Sequence, residues 1–216
     1  MMRSISATIV ISVVLAGVVS FSHAYPKPSP YPVSWQLKFE HSMPKRIVVT
    51  PSGSKVAEAY WYIRYTVTNP GKDEQRFLPV FELMTDNGDV IRSDNDIPDS
   101  VLAEIRIREK NRDLLTVNQI AGPLRVGVDQ ARDGVAVWQE PMIEMGRFRI
   151  FVAGLSGEAQ IFKDDKGVEV QKTTADGKKE PVVLWKTFMM EYLMLSGGVR
   201  PGNDPLELVT EEWLMR

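Results

Sequence analysis

The sequence predicts a mainly β protein, an antiparallel sandwich with one short inserted helix, preceded by a helical export signal. Three observations predict it. Turn-forming residues recur at short intervals through the chain, the spacing that joins short strands rather than alternating strand and helix units. The stretch Ala59-Tyr-Trp-Tyr-Ile-Arg-Tyr-Thr-Val-Thr68 is aromatic and β-branched almost throughout, which suits a pleated, half-buried surface. One segment alone, from about Asp99 to Lys110, carries helix signals.

The chain opens with Arg3, an apolar and small-residue run from Ile5 to Phe21, and then Ser22-His23-Ala24. A positive start, an apolar stretch and small residues before a cleavage point are the signal-peptide order, so residues 1–24 are expected to be removed after Ala24. An uncleaved membrane anchor is the alternative, since the run is nearly long enough to span a bilayer. Cysteine is absent, so no lipid-modified cysteine follows the leader and the fold is expected to hold without disulfides.

Residues 25–33, Tyr-Pro-Lys-Pro-Ser-Pro-Tyr-Pro-Val, form a proline-rich spacer, because proline at alternate positions fixes φ and removes backbone donors. It reads as a stiff, disordered leader, or as a rod or a ligand for a proline-recognising partner. Residues 34–216 are expected to form one β domain, with Gly122-Pro123 as a loop within it.

Within that domain Trp35 to Glu40 alternates, with Trp35, Leu37 and Phe39 on one face, and a turn at His41 to Pro44 leads to the strand Arg46–Thr50. Ala59–Thr68 ends at Asn69-Pro70-Gly71, and Phe77 to Thr85 is its expected partner, followed by the turn Asp86-Asn-Gly88 into Val90-Ile91. Pro98 and Asp99 suit a helix start, with Val101, Leu102 and Ile105 at core spacing. Strands follow at Gly134–Trp138, Arg147–Val152, Ala159–Phe162, Val168–Val170, Val182–Met194 and Leu206–Leu214, with turns including Asp165-Lys-Gly167, Asp176-Gly177, Gly197-Gly198 and Pro201-Gly202.

The order Tyr60 to Asn69, Phe81-Glu-Leu with Asp86-Asn-Gly88, Gly134-Val-Ala-Val-Trp138, and Arg147-Phe-Arg-Ile-Phe-Val-Ala-Gly154 resembles exported bacterial immunoglobulin-like domains. It is also similar to a family of uncharacterised exported bacterial proteins that end in Trp-Leu-Met-Arg, here Trp213-Leu-Met-Arg216. The resemblance implies an immunoglobulin-like β-sandwich in the periplasm or outside the cell, and no activity.

Chemistry is scarce. Beyond the leader there is one histidine, His41, expected as a solvated turn residue, so Cys-His pairs and multi-histidine zinc sites are excluded. Neither a Gly-x-Ser-x-Gly elbow nor a phosphate-binding glycine loop is present. Glu211 and Glu212 are neighbours on a strand and point to opposite faces, so they cannot flank one glycosidic bond. The expected protein is therefore not an enzyme and carries no cofactor. Asp86, Asp89, Asp94 and Asp96 form a weak metal-ligand candidate for calcium, against the plainer reading that Asp and Asn are turn residues.

Trp61, Ile63, Tyr65 and Val67 share one face of the aromatic strand and are expected in the core. Tyr60, Tyr62 and Arg64 share the other and are the candidate ligand-binding residues, a platform for sugar rings or a protein; a solvated strand face is the alternative. With a formal net charge of −2 and no basic block, nucleic acid is not an expected partner. The expected function is a non-enzymatic exported binding or structural module for a protein or envelope polysaccharide. The alternative is a carbohydrate-binding or carbohydrate-processing protein using the Tyr60 and Tyr62 face and acidic loops.

Export with cleavage after Ala24 has a direct readout. N-terminal sequencing of the exported product is expected to begin at Tyr25, whereas Met1 retained in a membrane fraction identifies an anchor.

Overall fold

The structure, a computed structural model, describes residues 26–140, 146–195 and 205–216. The expected signal peptide and the turns at Gly197-Gly198 and Pro201-Gly202 lie outside the described residues. The protein is mainly β, with several sheets and few helices. In chain order the elements are β1 (Lys38–His41), β2 (Lys45–Val49), β3 (Glu58–Asn69), β4 (Gln75–Phe77), β5 (Val80–Thr85), β6 (Val90–Arg92), α1 (Asp99–Glu109), β7 (Leu115–Thr116) and α2 (Val117–Ile120). There follow β8 (Gly122–Leu124), β9 (Gly127–Gln139), β10 (Arg147–Ala153), β11 (Ala159–Ile161), β12 (Gln171–Thr173), β13 (Lys179–Pro181), β14 (Val183–Met194) and β15 (Leu206–Met215).

A five-stranded sheet runs β1-β3-β9-β7, with β2 also on β3, and a six-stranded sheet runs β11-β14-β10-β5-β6, with β15 also on β14. The short pairs β12-β13 and β4-β8 complete the strands. The two large sheets face each other across one core, in which Trp61, Ile63, Tyr65 and Val67 of β3 meet Phe81, Leu83, Phe148, Ile150 and Tyr192. That face of β3 is the one its alternation predicts.

The expected hairpin between Ala59–Thr68 and Phe77–Thr85 does not form, because β3 pairs with β1, β2 and β9. The second stretch splits at Leu78-Pro79 into β4, paired with β8, and β5, paired with β10 and β6. Proline at position 79 has no N–H to donate to a ladder, which favours a break there. The corner between β3 and β4 is held by buried Asn69, whose Nδ2 donates to the carbonyls of Asp73 at 2.9 Å and Leu124 at 3.0 Å while its Oδ1 accepts from Gly71 N–H. Such bonding satisfies the corner internally and sends the chain to the opposite sheet. Val168–Val170 is not a strand either; Glu169 makes only an isolated bridge to Lys163.

Close approach explains one glycine. Gly134 lies opposite Tyr65 in the β3-β9 ladder, and a Cβ there would stand 2.4 Å from the Tyr65 ring. The ring also packs against Phe81, with centroids 4.7 Å apart.

Helix α1 matches the expected Asp99–Lys110 to within its last residue and ends where Lys110 adopts a left-handed φ of 52°. Its buried residues Val101, Leu102 and Ile105 pack on the outer face of the five-stranded sheet, against Tyr60, Tyr62, Val135, Val137 and Ile47. That second core makes three layers: helix, sheet, sheet. Tyr60 is 1% exposed and Tyr62 is 0% exposed, so the face expected to be solvated or to bind a ligand is interior.

Both faces of β3 should therefore respond alike to truncation. Trp61→Ala and Tyr62→Ala are each expected to cost about 3–5 kcal/mol, the range for losing a large buried ring. Urea midpoints compare them, and a loss below about 1 kcal/mol for Tyr62→Ala would place that ring in water.

Candidate functional site

The residues singled out from sequence resolve first into structural roles. The Tyr62 hydroxyl donates to Glu109 at 2.7 Å, Lys45 reaches the same carboxylate at 2.8 Å, and Arg64 lies 3.8 Å from it. Burial pushes the Glu109 carboxyl up, but these donors and cations outweigh it and hold the group below its ordinary range. Tyr60 donates to Glu58 at 2.7 Å, and burial followed by that bond raises its phenol to about 12. Tyr62 and Arg64 thus meet at Glu109 in a network that fastens α1 and β2 to β3, while Tyr60 bonds Glu58 within β3; with both tyrosine rings buried, the three do not form a platform.

His41 is not the solvated turn residue expected from the sequence. Its side chain is 11% exposed, its Nε2 lies 2.8 Å from Glu211, and its ring stacks 5.5 Å from Phe39. It is a packed residue at the end of β1.

The four aspartates do not converge. Asp86 and Asp89 sit at the exposed β5-β6 turn, where the Asp89 carbonyl accepts from Thr85 N–H, and Asp96 is exposed. Asp94 turns inward, with φ 58°, and accepts from Val117 N–H at 2.7 Å and Val137 N–H at 3.2 Å. Both of its oxygens are committed to backbone, and among the described residues no group of three or more potential ligands is placed to hold a metal ion. The pairing ties β6 to β9 and to the start of α2.

A groove that sequence reasoning missed lies on the outer face of the six-stranded sheet. It comprises two hollows of about 600 and 940 Å³ that share Phe151 and Arg216. The first is framed by Trp35, Arg76, Glu82, Trp185 and Thr187. Trp185 stands 51% exposed on β14. Trp35 is seated on Gly157, where an added Cβ would come 2.3 Å from its indole nitrogen, so only glycine lets the ring lie there. At the junction the Arg216 guanidinium stacks 4.2 Å from the Phe151 ring centre and pairs with Glu82. Arg216 is fixed by backbone as well, exchanging hydrogen bonds with Trp185 at 2.8 and 3.0 Å.

The second hollow has Pro26, Lys27 and Pro28 as one wall, facing Met84, Leu214 and Met215. The proline-rich segment is moored, since Ser29 N–H donates to Glu158 at 2.6 Å and the other oxygen of that carboxylate pairs with buried Lys186 at 3.0 Å. Burial raises the Glu158 carboxyl, yet the Ser29 and Lys186 contacts prevail and hold it below its ordinary range. Beside the groove Arg147 and Arg149 both bond Glu191, which lowers that carboxyl despite its burial.

Chain order hides this site because its parts come from positions 26 to 216. Trp185 gives a local signal, lying in alternation with Val183 on β14. Comparison with protein-family models, with curated proteins and with solved structures finds no match to this chain.

Asp94 gives a pH signature. Burial raises its carboxyl from 3.8 to about 6, against the lowering effect of the Val117 and Val137 N–H groups. The folded state then holds the proton more tightly than the unfolded state, so this group's contribution to stability falls as pH rises from about 4 to about 6. Asp94→Asn is expected to remove that fall while lowering stability overall through the lost acceptor; urea midpoints across pH 4 to 7 measure the difference profile, and parallel profiles would refute the assignment.

Proposed function

We propose that this protein is a non-enzymatic binding module exported to the periplasm or the cell exterior, built as an immunoglobulin-like β-sandwich, and that its ligand occupies the groove around Phe151 and Arg216. The observation that carries the reading is a half-exposed tryptophan, Trp185, beside an aromatic floor and a fixed arginine in a concave site. Large rings with polar neighbours supply contact area at low entropic cost, because they have few rotatable bonds. The charged groups near the groove favour holding over turnover. Glu82, Glu158 and Glu191 are each tied to a cation and His41 to Glu211, while Glu212, exposed on the second hollow, faces no second acid among the residues that line it.

The two facing sheets around an aromatic core support the sandwich assignment. The helical layer and the parallel β7-β9 pair are additions to an antiparallel plan. A second reading, carbohydrate binding, is favoured by Trp185 lying near Thr187, Ser156 and Glu82, since an indole stacks on a sugar ring while hydroxyls and a carboxylate bond its rim. On that reading Trp185 takes the role first expected of Tyr60 and Tyr62.

The purified mature chain should be retained on envelope material through the groove. Trp185→Ala is expected to weaken retention about tenfold or more, as for a central interface aromatic. Ile107→Ala, on α1 and 68% exposed, is expected to leave it unchanged. Equal loss in both variants, or in neither, removes the groove as the site.

A further inference from the structure

We infer that a hollow at the C-terminal end of α1, walled by Arg106, Lys110 and Arg112, is a binding site for a phosphate monoester group. It belongs to the helical layer and shares no residue with the groove, so the inference stands whether or not the groove holds a ligand.

The charge of this stretch is one-sided. Residues 106–112 read Arg-Ile-Arg-Glu-Lys-Asn-Arg, four cations and one acid. That acid, Glu109, is turned away from solvent, since its side chain is 6% exposed and bonds Lys45 and the Tyr62 hydroxyl. The outer side is left to the cations. A hollow of about 350 Å³ opens there, lined by Arg106, Ile107, Lys110 and Arg112 and by no carboxylate. Glu104 and Asp113, the exposed acids nearest in the chain, do not line it.

Among the described residues Arg106, Lys110 and Arg112 make no ion pair, whereas Arg46, Arg147, Arg149, Lys186 and Arg216 each have a carboxylate. Like charges gathered in one hollow repel, and a bound anion relieves that repulsion as an acidic neighbour would. Helix-end electrostatics accounts for only part of the cluster. A cation in the last turn interacts favourably with the helix dipole, which suits Arg106, but Arg112 lies beyond the helix end, where that effect has fallen away. The carbonyls there that would repel an anion are engaged. Ile107 accepts from Lys110 N–H and Arg106 from Asn111 N–H, each at 3.1 Å.

One wall is fixed in advance. The Arg106 Nε and one of its Nη atoms donate to the Leu114 carbonyl at 3.0 and 2.6 Å, which holds the guanidinium in place and lowers the ordering cost of binding.

The number of cations selects the class of anion. A phosphate monoester carries about −1.5 to −2 charge at neutral pH and offers three acceptor oxygens, one for each cation. A carboxylate brings a single charge and two oxygens, so it leaves one cation unmatched. The planar fork of Arg112 also suits paired phosphate oxygens. Such a group can be free, on a saccharide or on a lipid headgroup, and the hollow meets the same three oxygens in each.

The test uses the full mature chain at low salt. Inorganic phosphate is titrated calorimetrically, with acetate at equal ionic strength as the comparison, and vesicles of phosphatidylcholine with or without phosphatidic acid are tested by co-sedimentation. Saturable phosphate binding is expected, with acetate about tenfold weaker or more. Lys110→Gln and Arg112→Gln are each expected to weaken phosphate about tenfold, the effect of one lost charge-assisted hydrogen bond. Arg112→Lys keeps the charge and loses the fork, so a loss of about threefold is expected. Arg92→Gln, at an exposed position on β6, removes the same charge elsewhere and is expected to bind as before. Phosphatidic acid vesicles that bind, release with phosphate and lose binding in both glutamine variants assign the group to a lipid; phosphate binding without vesicle binding assigns it to a soluble ligand. Both uphold the inference. Acetate binding as tightly as phosphate overturns the monoester class. Absence of saturable phosphate binding, or binding indifferent to Lys110→Gln and Arg112→Gln, overturns the site.

Discussion

Strand β3 carries large apolar side chains on both faces, and that constraint organises the protein. Four of its rings, Tyr60, Trp61, Tyr62 and Tyr65, are buried, two on each side. At about 2 kcal/mol for each ring removed from water, leaving either face bare would forfeit roughly 4 kcal/mol. That is comparable with the whole stability of a marginal domain. One sheet can cover only one face. The second cover is α1, whose own residues Val101, Leu102 and Ile105 equally need an apolar surface, and the Glu109 network then locks the helix in place.

The six-stranded sheet resolves its outer face differently. No helix covers it among the described residues. Phe151 is shielded by the Arg216 guanidinium, Glu191 is flanked by two arginines, and the proline-rich segment forms one side of a hollow. These covers are thin and polar-headed, and they leave concave space between them. The asymmetry between a sheet sealed by a helix and a sheet fringed by long side chains leaves the groove on the fringed side.

Much of the fold was legible in local pattern. The alternation of Trp61, Ile63, Tyr65 and Val67 identified the inter-sheet face, and Pro98, Asp99 and the Val101, Leu102, Ile105 spacing located the helix, because these signals depend on neighbours within a turn or a strand. Pairing was not legible. Whether the segment after Asn69 folds back on β3 or crosses to the other sheet depends on the bonds of a buried Asn69 side chain to Asp73 and Leu124, and the second of these is 55 residues away. The fate of Tyr60 and Tyr62 followed from the same gap. Their face looked amphipathic because tyrosine carries a hydroxyl, yet each hydroxyl has a carboxylate partner, Glu58 or Glu109, that makes burial tolerable. The helix expected from the sequence has Val101, Leu102 and Ile105 to bury, and it buries them against this face.

The site was less legible than the fold for a related reason. A catalytic motif is often local, because reacting groups need fixed spacing, whereas a binding groove requires only that a surface stay open. Trp185 is a good strand residue in any context, and Arg216 becomes informative only once Phe151 is known to lie beneath it. Gly157 shows how position, not chemistry, carries the information: it has no side chain, yet it determines where the Trp35 indole rests. Asp94 is the converse case, an acid with the composition of a metal ligand whose oxygens both serve backbone N–H groups. In this protein, polar residues near a turn hold the sheets together, while the groove proposed for recognition is bordered by aromatic side chains and by the glycine and prolines that keep it open.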